Sequence, residues 1–492
     1  MRFMKWSLFV LPVVSLGLAS CGGGGGGDGG GSGSNAAPLN SPPVASFTAT
    51  PSSGTAPLSV QLDASASTDN GGSIVTYNWN FGDSSAAGSG VTTSHAYAAP
   101  GTYTVTLTVT DNGGTTGSTT RQVSVNSSST AALSKIAAID VGDMTACAVG
   151  VDGKAWCWGP NDYGQLGTGD VAQGYVPRRA AEGYLFSKIS VSTGGAFACG
   201  ITTAGRAYCW GNQEGGRLGD GIAAPSGQFV TTPVPVSGAG TYIDIAAGGD
   251  HACAIAAGGA AYCWGHNERG QLGTGVGANS AVPVPVAGGL TFSSITTHQV
   301  VSCGITNGGL AYCWGDGGMG NLGGGSNSSS NVPAPVKGGF SFASLQLGVW
   351  TACGVTTTGD GYCWGANGSG ELGIGSKTPS ESMEPMKVTD GHKWKSISPG
   401  VMVTCGVTTD ERGFCWGGNT WGERGDGAFP APDVTSPVPV AGDLTFQSID
   451  ADWCTCGVAN GVAYCWGPGS EGCVGDGARV NRGTPTKVAG QP

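Results

Sequence analysis

The stretch Cys147-Ala148-Val149-Gly150-Val151-Asp152-Gly153-Lys154-Ala155-Trp156-Cys157-Trp158-Gly159 decides the fold. Two cysteines stand ten residues apart around an Asp-Gly pair, with apolar residues leading to each. Direct opposition at that spacing needs a hairpin with a three-residue loop, Val151-Asp152-Gly153, whose third place wants a left-handed residue such as Gly153. Cys-Trp-Gly then recurs with Trp at 158, 210, 264, 314, 364, 416 and 466, at intervals of 50 to 54. Each unit reads in one order: an apolar strand such as Ile189-Ser190-Val191, a Cys-containing strand, a turn, the Cys-Trp-Gly strand, a Gly-rich loop, and a Pro-Val strand such as Pro233-Val234-Pro235-Val236. No segment carries a helical apolar period of useful length. Seven such units suit four-stranded blades, and their number predicts one closed, all-β ring over residues 134–492.

The same rule pairs Cys147 with Cys157, Cys199 with Cys209, Cys253 with Cys263, Cys303 with Cys313, Cys353 with Cys363 and Cys405 with Cys415. Cys456 and Cys465 are nine apart, and Asn460-Gly461, the favoured two-residue turn, keeps the register. In an exported chain these read as disulfides, because one opposed pair per blade cannot supply the four ligands of a zinc site. Cys454 and Cys473 remain and are expected to bridge each other. Each hairpin bridge is worth roughly 2 to 3 kcal/mol in the chain-entropy account.

Tyr163-Gly164-Gln165-Leu166-Gly167 and Arg269-Gly270-Gln271-Leu272-Gly273, each following Trp-Gly, resemble the regulator of chromosome condensation repeat. The resemblance runs over all seven units and implies a seven-bladed β-propeller. The eukaryotic namesake exchanges nucleotide on a small GTPase at chromatin, a role that export, acidity and cystines argue against here. Exported bacterial propellers of this type include protein inhibitors of β-lactamase, so the resemblance implies a protein-binding face.

Upstream, Tyr103, Val105, Leu107 and Val109 alternate with Thr, and Tyr77, Trp79 and Phe81 repeat that period of two. This predicts a β-sandwich over residues 42–128. Trp79-Asn80-Phe81-Gly82-Asp83, His95-Ala96-Tyr97 and Gly101-Thr102-Tyr103-Thr104-Val105 resemble a polycystic kidney disease (PKD) domain, an immunoglobulin-like module that serves as spacer or adhesive unit. Asn80 stands where that family usually has Asp. Asp63, Asp69 and Asp83 read as solvated or turn-capping carboxylates rather than calcium ligands.

Residues 1–20 carry Arg2 and Lys5, an apolar run from Trp6 to Leu18, and a small-residue end, the pattern of an export signal. Leu18-Ala19-Ser20-Cys21 resembles the lipoprotein lipobox, which implies a lipid on Cys21. Gly22 after it implies the outer membrane, facing the periplasm or the cell exterior. The Gly-rich tether over 21–41 cannot bury apolar surface and spans roughly 25 Å.

The net charge of −11, without a basic stripe, excludes nucleic acid as a partner. The five histidines, His95, His251, His266, His298 and His392, stand at no recognisable spacing from a nucleophile. Glu371, Glu423, Asp426 and Asp476 are scattered and form no hydrolytic pair. The expectation is a monomeric binding protein that is no enzyme and uses no catalytic residue, cofactor or metal. Three residues before each blade's first cysteine stand Met144, Ala196, Asp250, Val300, Trp350, Met402 and Trp453. Met144, Trp350, Met402 and Trp453 fall in adjacent blades once the ring closes, and either line a partner-binding sector or pack between blades. Trp421, in a long loop, is a separate anchor. A protein ligand is the first reading, extracellular polysaccharide the second, and a hydrolase or lyase with carboxylates in the channel the third.

Overall fold

The computed structural model describes residues 40–491, apart from 56–57, 84, 98, 100, 127–132, 239 and 390. The export signal, Cys21 and nearly all of the tether lie outside the described residues.

The strands up to residue 126 form two sheets. One joins Thr48–Thr50, Leu58–Asp63 and Thr92–Tyr97; the other orders Ser53–Thr55, Thr116–Asn126, Gly101–Asp111, Ile74–Asn80 and Gly88–Ser89. Strict alternation decides which face is inward: Val105, Leu107 and Val109 are buried with Trp79, Phe81 and Phe47, while the Thr residues between them face outward. Asp83 pairs with His95 at 2.6 Å and Asp63 accepts the Ser65 amide at 2.8 Å. Asp69 corrects the turn-capping expectation, since both its carboxylate oxygens are enclosed without a hydrogen-bond partner.

From Ile136 to Lys487 the chain forms seven four-stranded antiparallel sheets, each built from consecutive strands. Among the described residues the only helical element is the single turn Gly318–Gly320. First strands touch the first strands of their neighbours around the axis, and Phe446–Ala451 meets Ile136–Gly142 to close the ring. The opposed cysteines pair in register in all seven blades, with Cα atoms 4.0–4.1 Å apart. In the sixth blade Glu411 takes the left-handed turn place, at φ 64°.

Blades are joined by one repeated contact. The buried indole after each second blade cysteine donates Nε1–H to a carbonyl in the preceding blade's long loop, at 2.7–3.0 Å: Trp210 to Gln165, Trp416 to Glu371, and Trp158 to Cys473 across the closure. The glycine two residues after that carbonyl lies against the indole. A Cβ on Gly167, Gly373 or Gly425 would sit 2.6–2.8 Å from the Trp Nε1, and φ of 66–68° is left-handed at all three.

The same bonds operate at the seam between the ring's two ends. Each first strand opens with an amide donating to the preceding blade's hairpin turn, Phe186 to Gly153 and Phe446 to Glu411, and Ile136 donates likewise to Gly461 at 2.8 Å. Leu133 donates to Gly490, and Val488 is buried with Ile136 and Trp158. Among the described residues, the first and last blades are each built from their own four consecutive strands.

Candidate functional site

Two regions bring chemistry-bearing side chains together: the axis and the face of the ring that carries the long loops.

At the axis, the first-strand residue opposite each blade's first cysteine is Asp140, Ser190, Ala246, Thr296, Gln346, Ser398 or Asp450. All but Ala246 are polar, and these groups bond across blades. Asp140 accepts the Val191 amide at 2.6 Å; Asp450 accepts the Val141 amide and the Ser398 hydroxyl, each at 2.8 Å. Asp244 accepts the Ile295 amide and pairs with Lys188, and Asp452 accepts the Asp143 amide. Burial pushes the Asp140 and Asp450 carboxyls well above the ordinary range, and the neighbouring Asp450 raises Asp140 further.

The cavity lined by Asp140, Lys188, Ser190, Thr296, Gln346 and Asp450 measures about 70 Å³. At its loop end, the Gln299 amide donates to Thr193 Oγ1, and His298 faces Asp452 at 3.8 Å with both side chains buried. Among the described residues no three His, Cys, Asp or Glu side chains gather as metal ligands.

One histidine does meet a hydroxyl that spacing in sequence does not reveal. His251 Nε2 lies 2.8 Å from Ser302 Oγ of the next blade, which donates to the Gln271 carbonyl. Both residues are fully buried, and burial pushes the imidazole down to about 3. The pair is a neutral, fully buried bond between two blades.

The loop face carries the apolar residues. The turns between first and second strands are short: Gly348 donates to Thr351 around Val349-Trp350, and Gly400 donates to Val403 around Val401-Met402. These turns nest edge to edge, since a Cβ on Gly348 would sit 2.6 Å from the Gly400 carbonyl, and one on Gly400 2.6 Å from the Asp452 carbonyl. Trp350, Met402 and Trp453 thereby line one hollow of about 620 Å³, with Val300, Val349, Val401 and Met319. Asp316, Gln299 and Asn321 are its polar lining residues. Trp350 is 51% exposed, Met402 53% and Met319 48%.

Two of the sequence candidates fall elsewhere. Met144 is half-buried and packs against the core at the seam, and Trp421, exposed on the sixth long loop, does not line the hollow. Sequence reasoning missed Met319, which sits in the fourth long loop at the same repeat position as Trp421; its left-handed φ of 62° presents it to the hollow. The available signal for Val349 and Val401 was two adjacent apolar residues at a hairpin tip.

The PKD domain model matches residues 40–126, and the Regulator of chromosome condensation (RCC1) repeat model matches 152–201, 204–255 and 258–306. The chain is similar to E3 ubiquitin-protein ligase HERC2 of Homo sapiens, 33% identical over 135 residues, which are 27% of this chain and 3% of that one. It is similar to Ultraviolet-B receptor UVR8 of Arabidopsis thaliana, 32% identical over 143 residues, 29% of this chain and 32% of the receptor. The chain thus spans less than a third of either relative's length. Among solved structures, Prp20p from Saccharomyces cerevisiae, described with its binding properties to Gsp1p and histones, superposes with a TM-score of 0.61 at 19% identity, over 69% of this chain and 87% of that one.

Proposed function

We propose that this chain, a PKD domain followed by a ring of RCC1 repeats, is a non-enzymatic module that binds a protein partner through the loop-face hollow. One observation carries the reading: Trp350, Met402 and Met319 stand about half exposed around a single apolar hollow, where a monomer gains nothing by displaying them. Large aromatic and thioether side chains around a concavity are what protein hot spots are made of. Similar propellers characterised with protein partners, such as Prp20p with Gsp1p and histones, support the class of ligand.

The axis supports the same reading from the other side. A cavity of about 70 Å³ holds waters, whereas small-molecule sites run to several hundred Å³. Its carboxylates are each engaged by a neighbouring blade's amide or hydroxyl, which gives them a structural use in joining the blades.

In this reading Cys21 carries a lipid at the outer membrane, and the sandwich and tether lift the ring from the surface. Loss of labelled palmitate from a Cys21→Ser variant would support the anchor, and retained label would remove it.

The binding test is capture from envelope and culture-supernatant fractions on the immobilised full chain, alongside the Trp350→Ala/Met402→Ala variant. The expected outcome is a protein retained by the parent and lost by a variant of unchanged melting temperature. Retention of polysaccharide alone, or equal capture by both chains, would overturn the reading.

A further inference from the structure

The seventh blade breaks the repeat where it meets the hollow. In blades two to six, the amide after Trp-Gly donates to the carbonyl of the turn residue: Asn212 to Ala196, His266 to Asp250, Asp316 to Val300, Ala366 to Trp350 and Gly418 to Met402, at 2.7–3.1 Å. In those blades the ladder also reaches past the tryptophan, pairing Thr351 with Gly365 and Val403 with Gly417. The residue after Trp466-Gly467 is Pro468, which has no amide hydrogen to donate. The seventh ladder stops at Thr455 opposite Trp466. Trp453 therefore lacks both restraints that hold Trp350 and Met402.

A different restraint stands beside it. Cys454 is joined to Cys473 of the long loop, with Cα atoms 6.4 Å apart and both residues fully buried. The first blade shares the proline, as Pro160, and its ladder also stops at the tryptophan, but its turn residue Met144 is packed against the seam core. Trp453 instead lines the hollow. On its other side Asp452 accepts the Asp143 amide of the first blade at 2.7 Å. The indole is thus carried between Asp452 and Cys454, whose own turn bond is the Asp452 amide to the Cys454 carbonyl at 2.9 Å, and which are fixed to the rest of the ring by one hydrogen bond and one disulfide.

We propose that the Cys454–Cys473 disulfide is a positioning bond for the hollow, holding Trp453 where Pro468 removes the amide tether. The seven hairpin bridges join strands that are already paired, whereas this one joins a turn to a loop 19 residues away. Opening it frees one wall of the hollow and leaves the blades paired. The consequence for binding rests on the function proposed above; the positioning does not.

The test uses the full chain labelled with 5-fluorotryptophan, the Trp453 resonance being assigned as the line lost in Trp453→Phe. In Cys454→Ser/Cys473→Ser the single narrow Trp453 line should be lost to a broadened or split one, while the buried blade indoles keep theirs. Adding Pro468→Ala restores an amide donor and should bring the narrow line back. An unchanged Trp453 line in the double variant overturns the proposal. If the serine variant does not accumulate folded, Cys454→Ala/Cys473→Val fills the same apolar space and is read the same way. A broadened line with undiminished capture of the partner would leave the positioning standing and overturn the hollow as the binding site.

Discussion

At the scale of single residues, backbone conformation and close approach set most of the constraints. Gly425 has φ of 67°, and a Cβ there would sit 2.6 Å from the Trp466 Nε1 that bonds the Glu423 carbonyl. Gly425→Ala should therefore cost about 2 kcal/mol or more in denaturant unfolding, through strain and through the displaced indole. Glu411 is the converse case, a non-glycine residue at φ 64° where five other blades have glycine. Its exposed contact with Lys395, at 3.8 Å, adds little. Glu411→Gly should raise stability by about 1 kcal/mol by removing the left-handed penalty; a destabilised variant would show that the turn draws on the side chain in another way.

At the scale of the blade, the hairpin bridges and the axial carboxylates set how stability responds to conditions. Replacing Cys353 and Cys363 together by Ala should cost about 2 to 3 kcal/mol in equilibrium unfolding, the loop-closure entropy returned to the unfolded chain. The axial carboxylates give a pH dependence of definite sign. Asp140 and Asp450 have folded pKa values raised by burial, so the folded ring holds protons that the unfolded chain releases above about pH 4. Their contribution to stability is present in acid and is lost as pH rises towards neutrality. The melting temperature of Asp140→Asn should vary less between pH 5 and 8 than the parent's, the amide oxygen still accepting the Val191 amide. A variant with the parent's slope would place the proton uptake elsewhere.

At the scale of the whole ring, every junction carries the same two bonds, the indole to the loop carbonyl and the first-strand amide to the hairpin turn. The junction between the first and last blades carries both bonds without a covalent link, and Leu133 already donates to Gly490 there at 3.1 Å. A circular permutant of the ring alone, residues 133–490, opened between Gly288 and Gly289 and joined from Gly490 to Leu133, should fold with a melting temperature within a few degrees of the unpermuted ring's. A collapsed permutant would show that the native seam holds more of the ring than its bonds suggest.

The repeat was legible because its signals are local. A hairpin is closed by a cysteine spacing and a turn residue a few positions apart, and Trp-Gly marks the strand end that the next blade must receive. From Cys147 to Cys465 these fix register, blade count and bridges before any long-range contact is known, and the period of two at Val105, Leu107 and Val109 does the same for the sandwich. What the ring decides is which residues from different blades share a space. Trp350, Met402 and Trp453 are about 50 residues apart in the chain and meet at one hollow because closure sets their turns side by side. Met144, at the same repeat position, is drawn into the seam, and Trp421 is left outside. The same closure brings Asp140 to Asp450 and His251 to Ser302. Those pairings arise from the curvature of seven packed sheets, a property of the assembled ring that no single repeat contains.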